Sequence, residues 1–164
     1  KERVKPEFDT KIIGIRRVTR VASGGRRFTF SVAVVSGDRK GKVGVGLGKA
    51  GDTSLAIDKA TRNAKKNMIK VNLSPAMTIP HMVEAKFNSS RVMIMPARGR
   101  GVVAGSSVRN VVELAGIKDV CAKLLSGSKN KINNARVAIR ALSKLSKHSR
   151  AALSPLSVAA SESK

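Results

Sequence analysis

The glycine-rich segment 46–51 is the first place where residue types and spacing could do chemistry. It reads Gly46-Leu47-Gly48-Lys49-Ala50-Gly51 and satisfies G-x-G-x-x-G, the phosphate-binding spacing of dinucleotide folds. The rest of that context is missing, because Lys70 and Val71 stand about twenty residues on, where an acidic residue holds the ribose. Ala50 also stands where a P-loop has Ser or Thr. We expect no nucleotide cofactor, although amides at the end of this strand could hold an RNA phosphate.

The other reactive side chains are too scattered for catalysis or metal binding. His81 and His148 lie far apart in sequence, and Cys121 is the single cysteine, which excludes an internal disulfide and a cysteine-based zinc site. The ten acidic residues show no close pair and no metal-ligand spacing. The sequence therefore predicts no catalytic residue, no metal and no cofactor, and it does not predict an enzyme.

Positive charge is the dominant chemical property of the chain. Among 164 residues, 33 Lys and Arg oppose 10 Asp and Glu, which gives a formal charge of +23. An ordinary small domain carries about 2–8 net charges, so an excess in both halves predicts a polyanionic partner, most simply structured RNA. The chain has no Trp or Tyr and four Phe, too few for base-stacking platforms. We expect contacts to phosphates, sugars and helical shape.

Hydrophobic periodicity in the first half predicts a three-stranded antiparallel sheet and one helix. Residues 11–35 alternate as strand, turn and strand around Gly24-Gly25, with an apolar run that includes Ile15, Val18 and Val21, and 42–47 form a third strand. A helix is predicted over 52–70, where small alanines would let it lie close against the sheet and Lys59, Arg62, Lys66 and Lys70 recur on another face.

The second half follows a joint at 71–76. We predict a hairpin of 77–87, with His81 in its strand, and 91–95, a loop at 99–107, and a helix over 107–115 with Gly116 at its stop. Residues 120–125 fit a strand, with a helix almost as good, and 133–145 fit a last helix before a disordered tail. No run of about 18 apolar residues predicts a membrane span. No signal peptide pattern opens the chain, so a cytosolic compartment is expected, and the missing initiator Met suggests trimming.

Several motifs together resemble one known family. These are RVTRVASGGRRFTFSVAVVSGDRKGKVGVGLGKAGD, AIDKATRNAKKNMIKV, TIPH and GVVAGSSVRNVVELAGIKDV. They resemble the bacterial-type small-subunit ribosomal protein five (uS-five) family over nearly all of residues 11–145.

The resemblance implies an α+β fold of two domains. An N-terminal extension (1–10) would precede a double-stranded-RNA-binding-like sheet with one helix (11–74). A C-terminal α/β two-layer domain with a left-handed βαβ crossover (75–148) and a disordered tail (149–164) would follow. It further implies a place in the cytoplasmic ribosome, with small-subunit ribosomal RNA and small-subunit proteins four and eight as partners. The family lies near the path by which messenger RNA enters and influences translational accuracy. Neither a membrane nor a homo-oligomer is expected.

The RNA-contact role of the family falls on the first-domain loop, here residues 21–28. In Pro96-Ala97-Arg98-Gly99-Arg100-Gly101 and at 127–131 the chain departs from the family pattern by added charge, and we expect extra phosphate contacts there. From the charge and the resemblance, the predicted RNA-binding residues are Arg16, Arg17, Arg20, Ser23, Gly24, Gly25, Arg26, Arg27, Phe28, Lys40, Lys42, Lys49, Lys59, Arg62, Lys65, Lys66, Arg98, Arg100, Arg109, Lys129, Asn130 and Lys131.

Three other functions are weighed against this one. A free-standing binder of double-stranded RNA would be found outside the small-subunit fraction of a lysate. A nucleotide-binding enzyme would bind ATP tightly without competition from RNA. A membrane-active cationic protein would need a basic amphipathic helix with bulky Trp or Phe anchors, which the sequence lacks.

Overall fold

The computed structural model describes residues 7–145 of the chain. The predicted disordered tail and most of the N-terminal extension lie outside these residues. The elements, in chain order, are β1 (Asp9–Ala22), β2 (Gly25–Gly37), β3 (Lys42–Ala50), α1 (Thr53–Lys66), β4 (Ile69–Lys70), β5 (Val83–Phe87), β6 (Ser90–Pro96), β7 (Val102–Val103), α2 (Ser106–Leu114), β8 (Val120–Leu124) and α3 (Lys131–Ser143).

The first sheet is antiparallel and has four strands, in the order β1-β2-β3-β4. The sequence predicted three strands and a helix that continues to residue 70, and both the strand number and the end of the helix are wrong. The helix stops at Lys66, and residues 69–70 pair with Lys42 and Val43. Backbone pairing to the free edge of β3 satisfies amides that a longer helix would have satisfied internally.

Helix α1 lies directly on the sheet because both surfaces carry small residues. Its buried side chains are Ala56, Ala60 and Ala64, and they face the glycines of β3. A Cβ added at Gly46 would lie 2.1 Å from the carbonyl oxygen of Ala60. The predicted close approach is confirmed, and two glycines of the spacing that resembles a nucleotide motif, Gly46 and Gly48, lie against α1.

The second sheet has the order β5-β6-β8-β7, with β7 and β8 parallel and joined through α2. The α+β class is confirmed, and 120–124 form a strand. The left-handed sense of the β7–α2–β8 crossover stays a prediction. Residues 77–82, predicted as strand, are not: Thr78 makes one bridge to Asp119, and His81 lies in a bend. Helix α3 begins and ends two residues earlier than predicted.

The two sheets share one hydrophobic core. Helices α2 and α3 pack between them, so that Ala33 and Val45 of the first sheet belong to the same buried cluster as Val92 of the second and Leu142 of α3. Within residues 7–145, no helix is both long and apolar enough to cross a membrane.

Backbone groups lock the first sheet to the end of α2. The amides of Arg39 and Gly41 donate to the carbonyl oxygens of Leu114 and Ala115, at 3.0 Å each. Gly116, at φ +82°, ends the helix, and a Cβ there would lie 2.0 Å from the Arg39 carbonyl oxygen. The predicted stop at Gly116 is confirmed, and the close contact fixes the two sheets relative to one another.

Candidate nucleic-acid interface

The hairpin of β1 and β2 projects beyond the rest of the first sheet. β2 pairs with β3 only from Phe30 onward, and Phe30 lies opposite Arg17, so residues 18–29 are paired in two strands only. We call the whole hairpin, residues 15–31, the ribbon. Five residues of strand, 18–22, at about 3.3 Å each give a projection of roughly 16 Å. Of the predicted apolar run only Ile13 is buried, whereas Ile15, Val18 and Val21 are exposed, because nothing in the described chain covers the ribbon.

The pairing register divides the ribbon into two faces. Residues directly opposite one another on neighbouring antiparallel strands point to the same face, and the faces alternate along the strand. Arg16 pairs with Ser31, and Arg20 pairs with Arg27. Three arginines therefore share one face with Lys49, which pairs with Ser31 from the other side. We call Arg16, Arg20, Arg27 and Lys49 the basic face.

The N-terminus of α3 lies beside the basic face. A small cavity of about 30 Å³ is lined by Arg16 and Ser31 from the ribbon and by Lys131 and Ile132 from α3. Asn130 caps the helix, its side-chain oxygen accepting from the Ile132 amide at 3.2 Å. The first turn of α3 carries no acidic residue, so the positive end of the helix dipole adds to the side-chain charge.

The opposite face of the ribbon is apolar. It carries Ile15, Val21 and Phe28, which are 49%, 76% and 46% exposed, together with Arg17 and Arg26. The Arg17 guanidinium lies 4.5 Å from the centre of the Phe28 ring, a cation–π contact that holds it along the strand. Arg17 and Arg26 thus point away from the basic face.

The turn of the hairpin is open to a ligand. Gly25 has φ +110°, where a side chain is strained, and a Cβ at Gly24 or Gly25 would meet nothing within 4 Å. Ser23, Gly24 and Gly25 therefore expose their backbone at the tip, between the arginines of both strands.

The remaining predicted residues lie apart from the ribbon. Residues 40 and 42 lie at the opposite end of the sheet, where their amides donate to the Asp38 carboxylate. Lys59, Arg62, Lys65 and Lys66 are exposed on α1, with the Lys65 ammonium 5.5 Å from the Phe8 ring centre. Arg98 and Arg100 are exposed in the loop between β6 and β7, and Lys129 is exposed just before α3.

Arg109 is already paired within the protein. Its Nε donates to Glu113 at 2.8 Å, and Lys11 of β1 donates to the other oxygen of the same carboxylate at 2.5 Å. These two hydrogen bonds, with the accompanying positive charges, lower the pKa of Glu113 from its ordinary value of 4.5. Arg109 is therefore less available to RNA than the arginines of the basic face.

Sequence reasoning missed two arginines on α3. Arg136 and Arg140 lie one helical turn apart, beside a groove that runs to α1 and β4. Their spacing of four residues indicates a shared helix face, whereas the apolar periodicity of the same helix predicts only its buried side. In the described residues, no three His, Cys, Asp or Glu gather as a possible metal site.

Comparison with known proteins finds one family over both halves of the chain. Residues 8–72 match the family described as "Ribosomal protein S5, N-terminal domain", and residues 85–154 match "Ribosomal protein S5, C-terminal domain". The "Small ribosomal subunit protein uS5" of Campylobacter jejuni is 50% identical over 142 residues, which cover 86% of this chain and 95% of that protein.

Two further relatives show the same match at different lengths. The protein of that name in Mycoplasmopsis agalactiae is 49% identical over 140 residues, 85% of this chain but 60% of the relative. "Small ribosomal subunit protein uS5c" of Cyanophora paradoxa is 44% identical over 142 residues, 86% of this chain and 83% of the relative. With both family domains matched in order, the chain belongs to the ribosomal protein S5 family.

Proposed function

We propose that this chain is a structural, non-enzymatic constituent of the small ribosomal subunit, in the ribosome of the cytoplasm, that binds ribosomal RNA through the basic face and the tip of its hairpin. One observation carries the proposal: the projecting ribbon bears five exposed arginines, and residues 15–31 include no acidic residue. An isolated two-stranded ribbon is marginal in water, and like charges along it repel, so a bound polyanion supplies what the protein itself lacks.

The chemistry of the basic face fits phosphate. Guanidinium groups bind phosphate oxygens in a bidentate manner, and the α3 N-terminus beside Arg16 offers helix-dipole charge near Lys131. The exposed tip at Gly24 and Gly25 lets an RNA backbone approach the amides closely.

The salt dependence of RNA binding tests the proposal. Each neutralised phosphate contributes about 0.9 to the slope of log affinity against log salt for a duplex. Replacing Arg16, Arg20 and Arg27 with Ala is expected to lower that slope by roughly 2.7. Between 50 and 200 mM salt, the wild-type chain would then lose about 40-fold more affinity for small-subunit RNA than the variant.

A charge-matched control separates a specific face from net charge. Lys86, Lys118 and Lys123 are exposed on the second unit and belong to no predicted RNA site. Their triple Ala variant removes the same charge and is expected to keep the wild-type slope. Equal slopes for the two triple variants would contradict a specific basic face, and sedimentation of the protein away from small subunits in a lysate would favour a free-standing RNA binder.

The finer roles belong to the same proposal. On the strength of family membership, we also propose small-subunit proteins four and eight as neighbours, a contribution to subunit assembly, a position near the messenger RNA path and an influence on accuracy. The rigid joint between the sheets supports them, because a component that connects several neighbours must hold its surfaces at fixed angles. Accuracy measurements on ribosomes that carry the triple arginine variant test this part.

A further inference from the structure

A groove between the two units lies on the side of the molecule away from the hairpin. Val45 and Ile69 of the first unit and Phe87 and Ile139 of the second line it, and its volume is about 490 Å³. Pockets that hold small ligands are commonly 300–1,000 Å³ and favour such boundaries between units. The lining side chains Ile69, Phe87 and Ile139 are half-buried against the shared core, which gives the groove an apolar floor.

The charged side chains of this groove are both arginines. Arg136 and Arg140 lie at its rim, and neither forms a salt bridge to a carboxylate within residues 7–145. The Arg136 guanidinium lies 5.9 Å from the centre of the Phe87 ring, and an Arg140 nitrogen donates weakly to the Lys86 carbonyl oxygen at 3.5 Å. Two guanidinium groups with no carboxylate partner in the described chain, one of them over an aromatic ring, match a ligand that combines an anion with a flat ring.

We infer that this groove binds one extruded nucleotide of RNA, with the base on the floor beside Phe87 and the phosphate on Arg136 and Arg140. The inference rests on the proposed RNA-binding function and adds a second contact, remote from the hairpin. Asn67, at the end of α1, lines the same groove; its Nδ2 donates to Asn63 Oδ1 at 2.9 Å, and its side-chain oxygen can accept a hydrogen bond from a base edge.

Charge argues against the chain's own C-terminal segment as an alternative occupant of the groove. Residues 146–164 follow Ser143, a lining residue of the groove, closely in sequence, but they carry Lys147, Arg150 and Lys164 against Glu162. A net positive segment gains nothing from two arginines, whereas a nucleotide neutralises them.

Photo-crosslinking in assembled small subunits tests the inference. A benzophenone amino acid in place of Ser143 is expected to crosslink to one position of the ribosomal RNA. In the Arg136→Ala/Arg140→Ala background that crosslink is expected to fall at least tenfold, whereas Lys123→Ala leaves it unchanged. A crosslink to a protein, to residues 146–164 of the same chain or to nothing would overturn the inference.

Two further measurements make the test independent of folding and of the proposed function. Phe87→Leu keeps apolar volume but loses the aromatic face and is expected to weaken the crosslink roughly fivefold or more, while Phe87→Tyr restores it. If Leu and Tyr behave alike, base stacking in the groove is refuted. The same benzophenone probe in place of Arg20 measures RNA contact at the hairpin. If RNA crosslinks form from position 20 but not from position 143, nucleotide binding in the groove is refuted and the proposed function stands. If neither position crosslinks to RNA, the proposed RNA binding itself is refuted.

Discussion

Gly116→Ala is expected to be the most damaging small substitution in the joint between the two sheets. The new Cβ would lie 2.0 Å from the Arg39 carbonyl oxygen and 2.5 Å from its carbon, both backbone atoms that cannot rotate away. A carbon atom needs at least 3.0 Å, so the Arg39 loop has to retreat by about 1 Å. That retreat stretches the hydrogen bonds from Arg39 to Leu114 and from Gly41 to Ala115 beyond bonding distance.

The expected loss adds three effects of known size. A side chain in the left-handed region costs about 1–2 kcal/mol, two weakened hydrogen bonds cost about 0.5–1.5 kcal/mol each, and overpacking costs about 1–3 kcal/mol. Together they predict a loss of about 3–8 kcal/mol, a large part of a typical stability of about 5–15 kcal/mol. For a chain of this size the melting temperature would fall by roughly 6–30 °C.

Two other glycines serve as matched controls in thermal and urea unfolding. Gly99 has φ +75° with open space around its Cβ position, so Gly99→Ala isolates the conformational cost of about 1–2 kcal/mol. Gly37 lacks the positive φ, but its Cβ would lie 2.3 Å from the Leu114 carbonyl oxygen, so Gly37→Ala isolates the contact. If Gly116→Ala loses no more stability than Gly99→Ala, the close backbone contact does not hold the units together.

Three further predictions concern a salt-bridged carboxylate, a buried hydroxyl and an exposed basic loop. The lowered pKa of Glu113 stabilises the fold above the unfolded pKa near 4.5, and this stability disappears as the pH falls through the folded pKa. Glu113→Gln is therefore expected to reduce the pH dependence of the unfolding free energy on the acid side, and an unchanged dependence would contradict this. The hydroxyl of Ser36 is fully buried and forms no hydrogen bond within the described chain, so Ser36→Ala is expected to raise the unfolding free energy by about 1 kcal/mol, and a loss of stability would refute this. Replacing the exposed Arg98 and Arg100 with Ala is expected to lower the salt slope of RNA binding by up to about 1.8, and an identical slope would show that this loop meets no phosphate.

Local patterns predicted most elements of the fold but not their ends. The alanine stripe of α1 and the stop at Gly116 follow from short-range packing and backbone rules, and both are confirmed. The end of α1 was misplaced because Ile69 and Lys70 pair with the edge of β3, a tertiary partner that helical periodicity cannot reveal. His81 lies outside the predicted strand for a similar reason, since residues 77–82 form a single bridge at Thr78 rather than a ladder.

The grouping of the predicted RNA-binding residues on the surface does not follow from the sequence. The family resemblance pointed to the hairpin loop, but the separation of Arg16, Arg20 and Arg27 from Arg17 depends on the strand register, which a bulge between Ile12 and Gly14 shifts. The pairing of Arg109 with Glu113 could be suspected from their spacing of four residues, whereas the third partner comes from β1. Such long-range partners decide whether a cation is free for a ligand.

The position of the few carboxylates separates the cations that hold the fold from those left for a ligand. Glu113 neutralises Lys11 across the joint between the units, and Asp9 neutralises Arg39 beside it, at 2.8 Å. Both pairs lie where β1 meets the joint, so these cations already have an anion from the protein itself. The ribbon carries no carboxylate at all, although exposed arginines along it repel one another. Asp9 and Glu113 pair with cations at the joint, whereas no acidic residue lies among residues 15–31, so the charge of the ribbon is left to be balanced by the phosphates of an RNA partner.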